Sequence, residues 1–471
     1  MKFKLFLAVV TLMFCVKINA QNAGIEYELA LNSGVATAES MPFWMVANRF
    51  GTIPDAASYG LVDASIASNY NRLTNQLTFN YKASIIGGND VSKNNLFINE
   101  LYGGLQYKNW ELTVGVKHQD LLWEGLSSSN GSITMATNAR SYPGYNLRLI
   151  NFVKLPFAKK WLSVKGNYGD YFLNDKRMVA DARLHIKSLY LKSKLSSKLE
   201  MITGLNHYAQ WAGTSSKYGK QPSGFKNYLR VISGSSGGSD ATGGDQINVI
   251  GNQLGSYLLQ FNYKGNQYNW NFYWSHPFED RSGRELMNYP DALYGVFVDL
   301  KKPEAFISHV LAEVTYTKHA SGDDPHYTDE FGFHAASGMD NYFNNWVYES
   351  GWTYFGNTIG SPYFTTKPVN EEGITQGVIT GDNRFLAFNI GVKGMVKNTF
   401  YKALLSSTTY YGWFGSEYVD TPNQISGLLE VTIPKIPIFP IEITMGAAFD
   451  TGTYRPVNFG GFLKLSSRGI F

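Results

Sequence analysis

The chain has 471 residues and a single cysteine, Cys15. That cysteine falls within the first twenty residues, MKFKLFLAVVTLMFCVKINA, where Lys2 and Lys4 precede an apolar run at 5–16 and Ala20 supplies a small residue for cleavage. The run is short for a bilayer span and has the length of a secretory signal, with the expected cut between Ala20 and Gln21. Phe14 is too bulky for the position before a lipidated cysteine, so acyl anchoring is not expected. Removing 20 of the 471 residues leaves 451 with no cysteine, which excludes disulfides and thiolate chemistry from the mature chain.

Long apolar runs are also missing. After residue 20 no stretch approaches twenty apolar residues, so no transmembrane helix is expected. Helical amphipathic windows are almost absent. Excess charge is missing too: the chain carries +4, and subtracting Lys2, Lys4 and Lys17 leaves about +1. So balanced a chain has no long-range attraction to nucleic acid or anionic polymer. No nucleophile motif, phosphate-cradling glycine loop or HExxH occurs, and no cofactor or metal is expected.

Aromatic residues and glycine are abundant. Aromatics make up 15% of the chain, with 31 Tyr and 30 Phe, alongside 47 Gly and only 17% charged residues. The hydrophobic period is two. Leu77, Phe79, Tyr81, Ala83 and Ile85 alternate with polar partners, as do Trp110, Leu112, Val114 and Val116. Tyr257, Leu259, Phe261 and Tyr263 line one predicted strand, and Tyr268, Trp270, Phe272 and Trp274 line the next. The pattern resumes at Leu386, Phe388, Ile390 and Val392, at Leu429, Val431 and Ile433, and from Ile441 to Phe449. Lys108-Asn109 and Lys397-Asn398 read as tight turns. In PKIPIFP, 434–440, three prolines forbid ladder pairing.

Either a soluble β-sandwich or propeller or a membrane barrel would generate this alternation. Aromatics near strand ends, short turns set against long polar loops, and a closing strand that ends on Phe471 favour an outer-membrane antiparallel β-barrel of roughly 16–18 strands. Residues 21–471 read as one barrel domain. The stretch SGSSGGSDATGGD, 233–245, reads as one long exposed loop, and SMPFWMVANRFGTIP, 40–54, as a short helix or turn at the mouth.

Three clusters are candidates for chemistry. WSHPFEDRSGREL, 274–286, holds His276, Glu279, Asp280, Arg281 and Arg284, and glycosidases do use two carboxylates. Adjacent carboxylates point apart, so a salt-bridged turn is the better reading. LNHYAQWAG, 205–213, sets His207, Gln210 and Trp211 at a strand end, where a ring and hydrogen-bonding groups suit a sugar. SGDDPHYTDE, 321–330, carries Asp323, Asp324, His326, Asp329 and Glu330 without EF-hand spacing and reads as an acidic outer loop.

The blocks GVKHQDLLWEGLSSSNGSITMATNARSYPGYNL (115–147), LNHYAQWAG, LGSYLLQFNY…SHPFEDRSGRELMNYPDALYG (254–295), GWTYFGNTIGSPYF (351–364) and DNRFLAFNIGVKG (382–394) resemble the Wzi-type capsule-assembly family of outer-membrane proteins. The resemblance implies a barrel of about eighteen strands, plugged or lined by small helices, that holds exported polysaccharide at the cell surface without hydrolysing it. His207, Gln210, Trp211, Arg281 and Arg284 are the expected polysaccharide contacts. The implied partners are outer-membrane lipid, a capsular or other surface polysaccharide, and the barrel-assembly machinery during insertion. The near-neutral charge departs from what an acidic capsule would call for, so recognition is expected to rest on stacking and hydrogen bonds, or to involve a neutral glycan. A porin-like channel for small solutes shares the barrel and is the alternative.

Overall fold

A computed structural model describes residues 24–72, 76–89, 96–158, 161–322, 327–328, 334–335, 338–379, 381–435 and 440–470. Residues 1–20, expected as a secretory signal, the residues Asp323, Asp324, His326, Asp329 and Glu330, and the terminal Phe471 lie outside them.

Eighteen strands form a single closed wall. In chain order they are β1 Glu26–Ala36, β2 Ser58–Arg72, β3 Leu77–Asn89, β4 Leu96–Tyr107, β5 Trp110–Val116 and β6 Pro143–Leu149. Next come β7 Leu162–Phe172, β8 Arg183–Lys194, β9 Leu199–Trp211, β10 Asn252–Lys264, β11 Asn269–Phe278 and β12 Ala292–Asp299. The last six are β13 His309–Tyr316, β14 Arg384–Val396, β15 Thr399–Trp413, β16 Asn423–Ile433, β17 Glu442–Gly452 and β18 Asn458–Ile470. Each pairs antiparallel with its chain neighbours, and β1 closes the ring on β18 from Glu26↔Ile470 to Ala36↔Gly460. Closure leaves no free edge, which a wall immersed in hydrocarbon requires.

The period of two separates the faces. On β5, Trp110, Leu112 and Val114 are exposed on the outside, whereas Glu111 and Thr113 are buried in the lumen. On β14, Phe388 and Ile390 face out and Asn389 faces in. An apolar band of this extent is unstable against water and is satisfied by lipid. One end carries short turns, among them Lys108-Asn109 and Lys397-Asn398. Both lysines adopt the left-handed conformation (φ 54° each) that lets so tight a turn match the strand twist. The opposite end carries long connections at 37–57, 117–142, 212–251, 279–291 and 317–383.

Several of these connections fold into the barrel. Loop 117–142 brings Leu126 and Ile133 to full burial, and the short helix α1, Phe43–Val46, buries Phe43, Trp44 and Met45. Loop 317–383 adds Tyr342, Phe343, Trp352, Tyr363 and Phe364 to the same core. Phe43 stacks on Tyr363 (5.5 Å), and Phe364 meets Phe385 of β14 edge-on (4.9 Å). Segment 233–245, expected as a single loop, instead begins as the last residue of helix α2, Phe225–Ser233, and ends inside helix α3, Gly243–Ile247. Thr242 caps α3 by accepting from Asp245 N.

Candidate functional site

The loops are fastened to the wall through Glu313 on β13, which is buried in the lumen. Ser127 Oγ and Tyr273 OH each donate to its Oε1 (2.5 Å), while Ser128 N and Oγ donate to Oε2 (2.7 Å each). Asn389 Nδ2 adds a further bond at 3.2 Å. A buried carboxylate is tolerated only with this density of donors. The bonds hold SSSN, 127–130, across the lumen.

The sequence-predicted contacts part along the strand period. Gln210 faces the lumen, donates to Gly351 O (3.0 Å) and accepts from Asn252 Nδ2 (2.9 Å), which ties loop 317–383 to the wall. His207 and Trp211 face the outside. His207 Nε2 lies 2.6 Å from Gln253 Oε1, and Trp211 is buried against Tyr228 and Val231 of α2. The three therefore do not share one surface. Arg281 and Arg284 lie on helix α4, Arg281–Arg284, at the mouth. Arg281 pairs with Glu285 (2.7 Å) and Arg284 Nε donates to Asp280 O (3.3 Å).

The carboxylates around α4 have structural duties. Asp280 caps the helix, accepting from Gly283 N (3.3 Å) and Ser282 Oγ (2.5 Å). Glu279 turns inward to accept from Phe343 N (2.7 Å), and burial raises its carboxyl well above the usual range. Asp291 accepts from Ala320 N (2.6 Å), Tyr342 OH (2.7 Å) and His319 N (2.9 Å). Burial pushes Asp291 up to about 7 despite those donors. His276 is buried with Nδ1 2.7 Å from Asp291 O. The two adjacent acids thus point apart: Asp280 caps α4 within its own loop, while Glu279, together with Asp291, latches the 279–291 loop to the 317–383 loop.

Aromatic surface does reach solvent at the mouth, at residues with no distinctive motif. Trp346 is half exposed, and its ring meets Tyr218 edge-on at 5.2 Å. Lys217 reaches over the Tyr218 ring (5.0 Å) and pairs with Glu349 (3.1 Å). Trp346 lies flush on α3, because a Cβ at Gly244 would come within 2.6 Å of its ring. Flat ring, cation, carboxylate and nearby amides together make a surface that a pyranose can stack on and hydrogen-bond to.

The model of the family described as "Capsule assembly protein Wzi" matches residues 39–375. The chain belongs to this family. Among solved structures it is similar to the Escherichia coli outer-membrane protein Wzi, described as a carbohydrate-binding β-barrel involved in group 1 capsule assembly. The identity is 12%, the TM-score 0.58, and the alignment covers 98% of this chain and 87% of that one. It is also similar to Acinetobacter baumannii OccAB4 (10% identity, TM-score 0.47, 96% and 99% covered) and Pseudomonas aeruginosa OccK3 (9%, 0.48, 95% and 96%). No curated protein matches the sequence.

In this Wzi-family outer-membrane barrel, the space beneath the inserted loops is lined by both polar and apolar side chains. One cavity of about 330 Å³ is lined by Gln119, Asn146, Arg148, Lys165, Tyr171 and Tyr190. A second, of about 380 Å³, is lined by Arg49, His118, Lys402, Glu430, Lys464 and Arg468. Their charges are largely paired: Arg49 and Lys402 flank Glu430 (2.7 and 3.2 Å), and Arg148 bridges Glu111 and Asp120 (2.5 and 2.7 Å). His118, stacked on Phe50 at 3.9 Å, is held down to about 4 by burial, so it is neutral at physiological pH.

Proposed function

We propose that this chain is a non-catalytic outer-membrane barrel that binds exported capsular or other surface polysaccharide and holds it at the cell surface. The observation that carries this reading is the mouth: inserted loops close it, and the surface they present is aromatic and hydrogen-bonding. Trp346, Tyr218, Lys217 and Glu349 supply the stacking platform, with Arg281 and Arg284 at the rim. Gln210 acts from below by holding loop 317–383, while His207 and Trp211 support the outer wall. The use of Glu279 and Asp280 as backbone acceptors supports binding without hydrolysis.

The test is to delete the gene and measure cell-attached and shed polysaccharide. The expected result is unchanged total polymer that moves from the cells to the medium. Unchanged attachment overturns the proposal. The two lumenal cavities favour a second reading, a porin-like channel for small solutes. Planar-bilayer conductance separates the readings, and steady open-channel current would support the channel.

A further inference from the structure

The outer wall changes character along β6–β10. Facing out on the half toward the short turns are Leu147, Leu189, Leu191 and Leu205, all exposed as lipid contacts are. In the next two rows toward the mouth the outward residues become first Lys187 and His207, then Asp170, His185 and Gln253, which hydrocarbon cannot solvate. Helix α2 lies across these polar rows. Tyr228 OH donates to Asp170 Oδ2 (2.6 Å) beside Tyr145 OH (2.5 Å) and His185 Nδ1 (2.9 Å). Lys187 Nζ and Gln253 Nε2 donate to the helix's last carbonyls, Ile232 O and Val231 O. Val231 packs with Ala209, Trp211 and Ile250.

Among the described residues none covers the opposite face of α2. Phe225 is 75% exposed and Leu229, one turn on, is 47% exposed, while Lys226 beside them is also exposed. From residue 211 to 239 the sequence holds Lys217, Lys220, Lys226 and Arg230 and no acid, within a chain close to neutral. A short helix with an apolar outward stripe, flanked by cations and continuous with the lipid-facing band, has the make-up of an interfacial helix.

We propose that α2 docks into the outer leaflet. Phe225 and Leu229 would enter the acyl-chain boundary, and Lys226 with Lys220 would take up phosphate groups on the lipid headgroups. The occupant is a phosphorylated lipid of the surrounding leaflet. The helix thereby seals the polar rows of the wall from hydrocarbon and marks the level of the interface.

The test uses the full chain carrying Cys15→Ser and Leu229→Cys, labelled with an environment-sensitive dye and refolded into phosphatidylcholine vesicles with or without diphosphorylated lipid A. Phe225→Cys is the second label site should the first variant not fold. The expected result is blue-shifted emission that acyl-brominated lipid quenches. Aqueous, unquenched emission from a folded barrel overturns the proposal. A blue shift that vanishes on dilution of protein in lipid identifies a second copy as the occupant and also overturns it. Lys226→Glu is expected to weaken lipid A-dependent stabilisation by about fivefold or more, from roughly 1 kcal/mol per surface cation. No change would remove the phosphate assignment. Inorganic phosphate alone is expected to give no stabilisation, and an equal effect from it would overturn the lipid assignment.

Discussion

Two carboxylates, Glu313 buried and Asp170 partly buried, organise opposite faces of the same wall. Inside, Glu313 draws loop 117–142 across the lumen with bonds from Ser127, Ser128, Tyr273 and Asn389. Outside, Asp170 draws helix α2 onto the strands with bonds from Tyr145, Tyr228 and His185. The inner hub is deeper and its donors are all neutral, so its loss leaves several polar groups stranded in a closed core. The outer hub lies nearer the surface, with its carboxylate only partly buried and a histidine among its partners. The same chemistry therefore yields a structural plug in one place and a detachable fitting in the other.

Glu313→Ala should break the comparison most severely. Stranding several buried donors costs about 1–3 kcal/mol for each group left unsatisfied. The expected outcome is proteolytic cleavage within 117–142 and bursts of conductance in planar bilayers, with the strand signal retained. Wild-type resistance to both would show that the plug is held by its aromatic core alone. Tyr228→Phe removes one hydroxyl from the outer hub and should cost about 1.5–3 kcal/mol locally, the range for a bond to a charged group. Segment 212–251 should then become protease-sensitive while the mouth stays closed. Simultaneous loosening of both would mean that the hubs are coupled.

Trp346→Ala should weaken glycan binding by about fivefold to tenfold, in line with one aromatic contact of roughly 1 kcal/mol. Gly244→Val should act the same way by pushing the ring off α3. Isothermal titration with the cell's own purified polysaccharide would read both, and wild-type affinity in both variants would move the binding surface away from Trp346. A further expected effect is pH-dependent. Asp291 titrates at about 7 in the fold and near 4 when unfolded, so the folded state binds its proton more tightly. Its contribution is full below about pH 4 and is lost as pH rises to about 7. The mouth should melt at a progressively lower temperature across that window, and Asp291→Asn should flatten the slope.

The alternation at Trp110–Val116 and at Leu386–Val392, with the lysine-asparagine turns, was enough to read an outer-membrane barrel of nearly the observed strand number. A period of two assigns each residue a face without any tertiary information. The divergence of the paired acids Glu279 and Asp280 was also legible, since neighbouring residues on an extended chain point apart. The same rule separates Gln210 from His207 and Trp211, a consequence that their closeness in sequence hides. The Trp346 platform gave no signal, because an isolated tryptophan in a loop looks the same whether it is buried or displayed.

Composition and periodicity by themselves determined the class of fold, its closure into a membrane wall, and which side of each strand meets lipid, because these follow from local backbone geometry and the hydrophobic effect. Tertiary structure alone decided that loops 117–142 and 317–383 turn into the lumen, that α2 lies outside rather than above it, and that Trp346 rather than Trp211 reaches solvent. Each of these depends on hydrogen bonds between residues tens to hundreds of positions apart, such as Ser128 with Glu313 and Tyr228 with Asp170, and pairings at that range leave no pattern in a single chain.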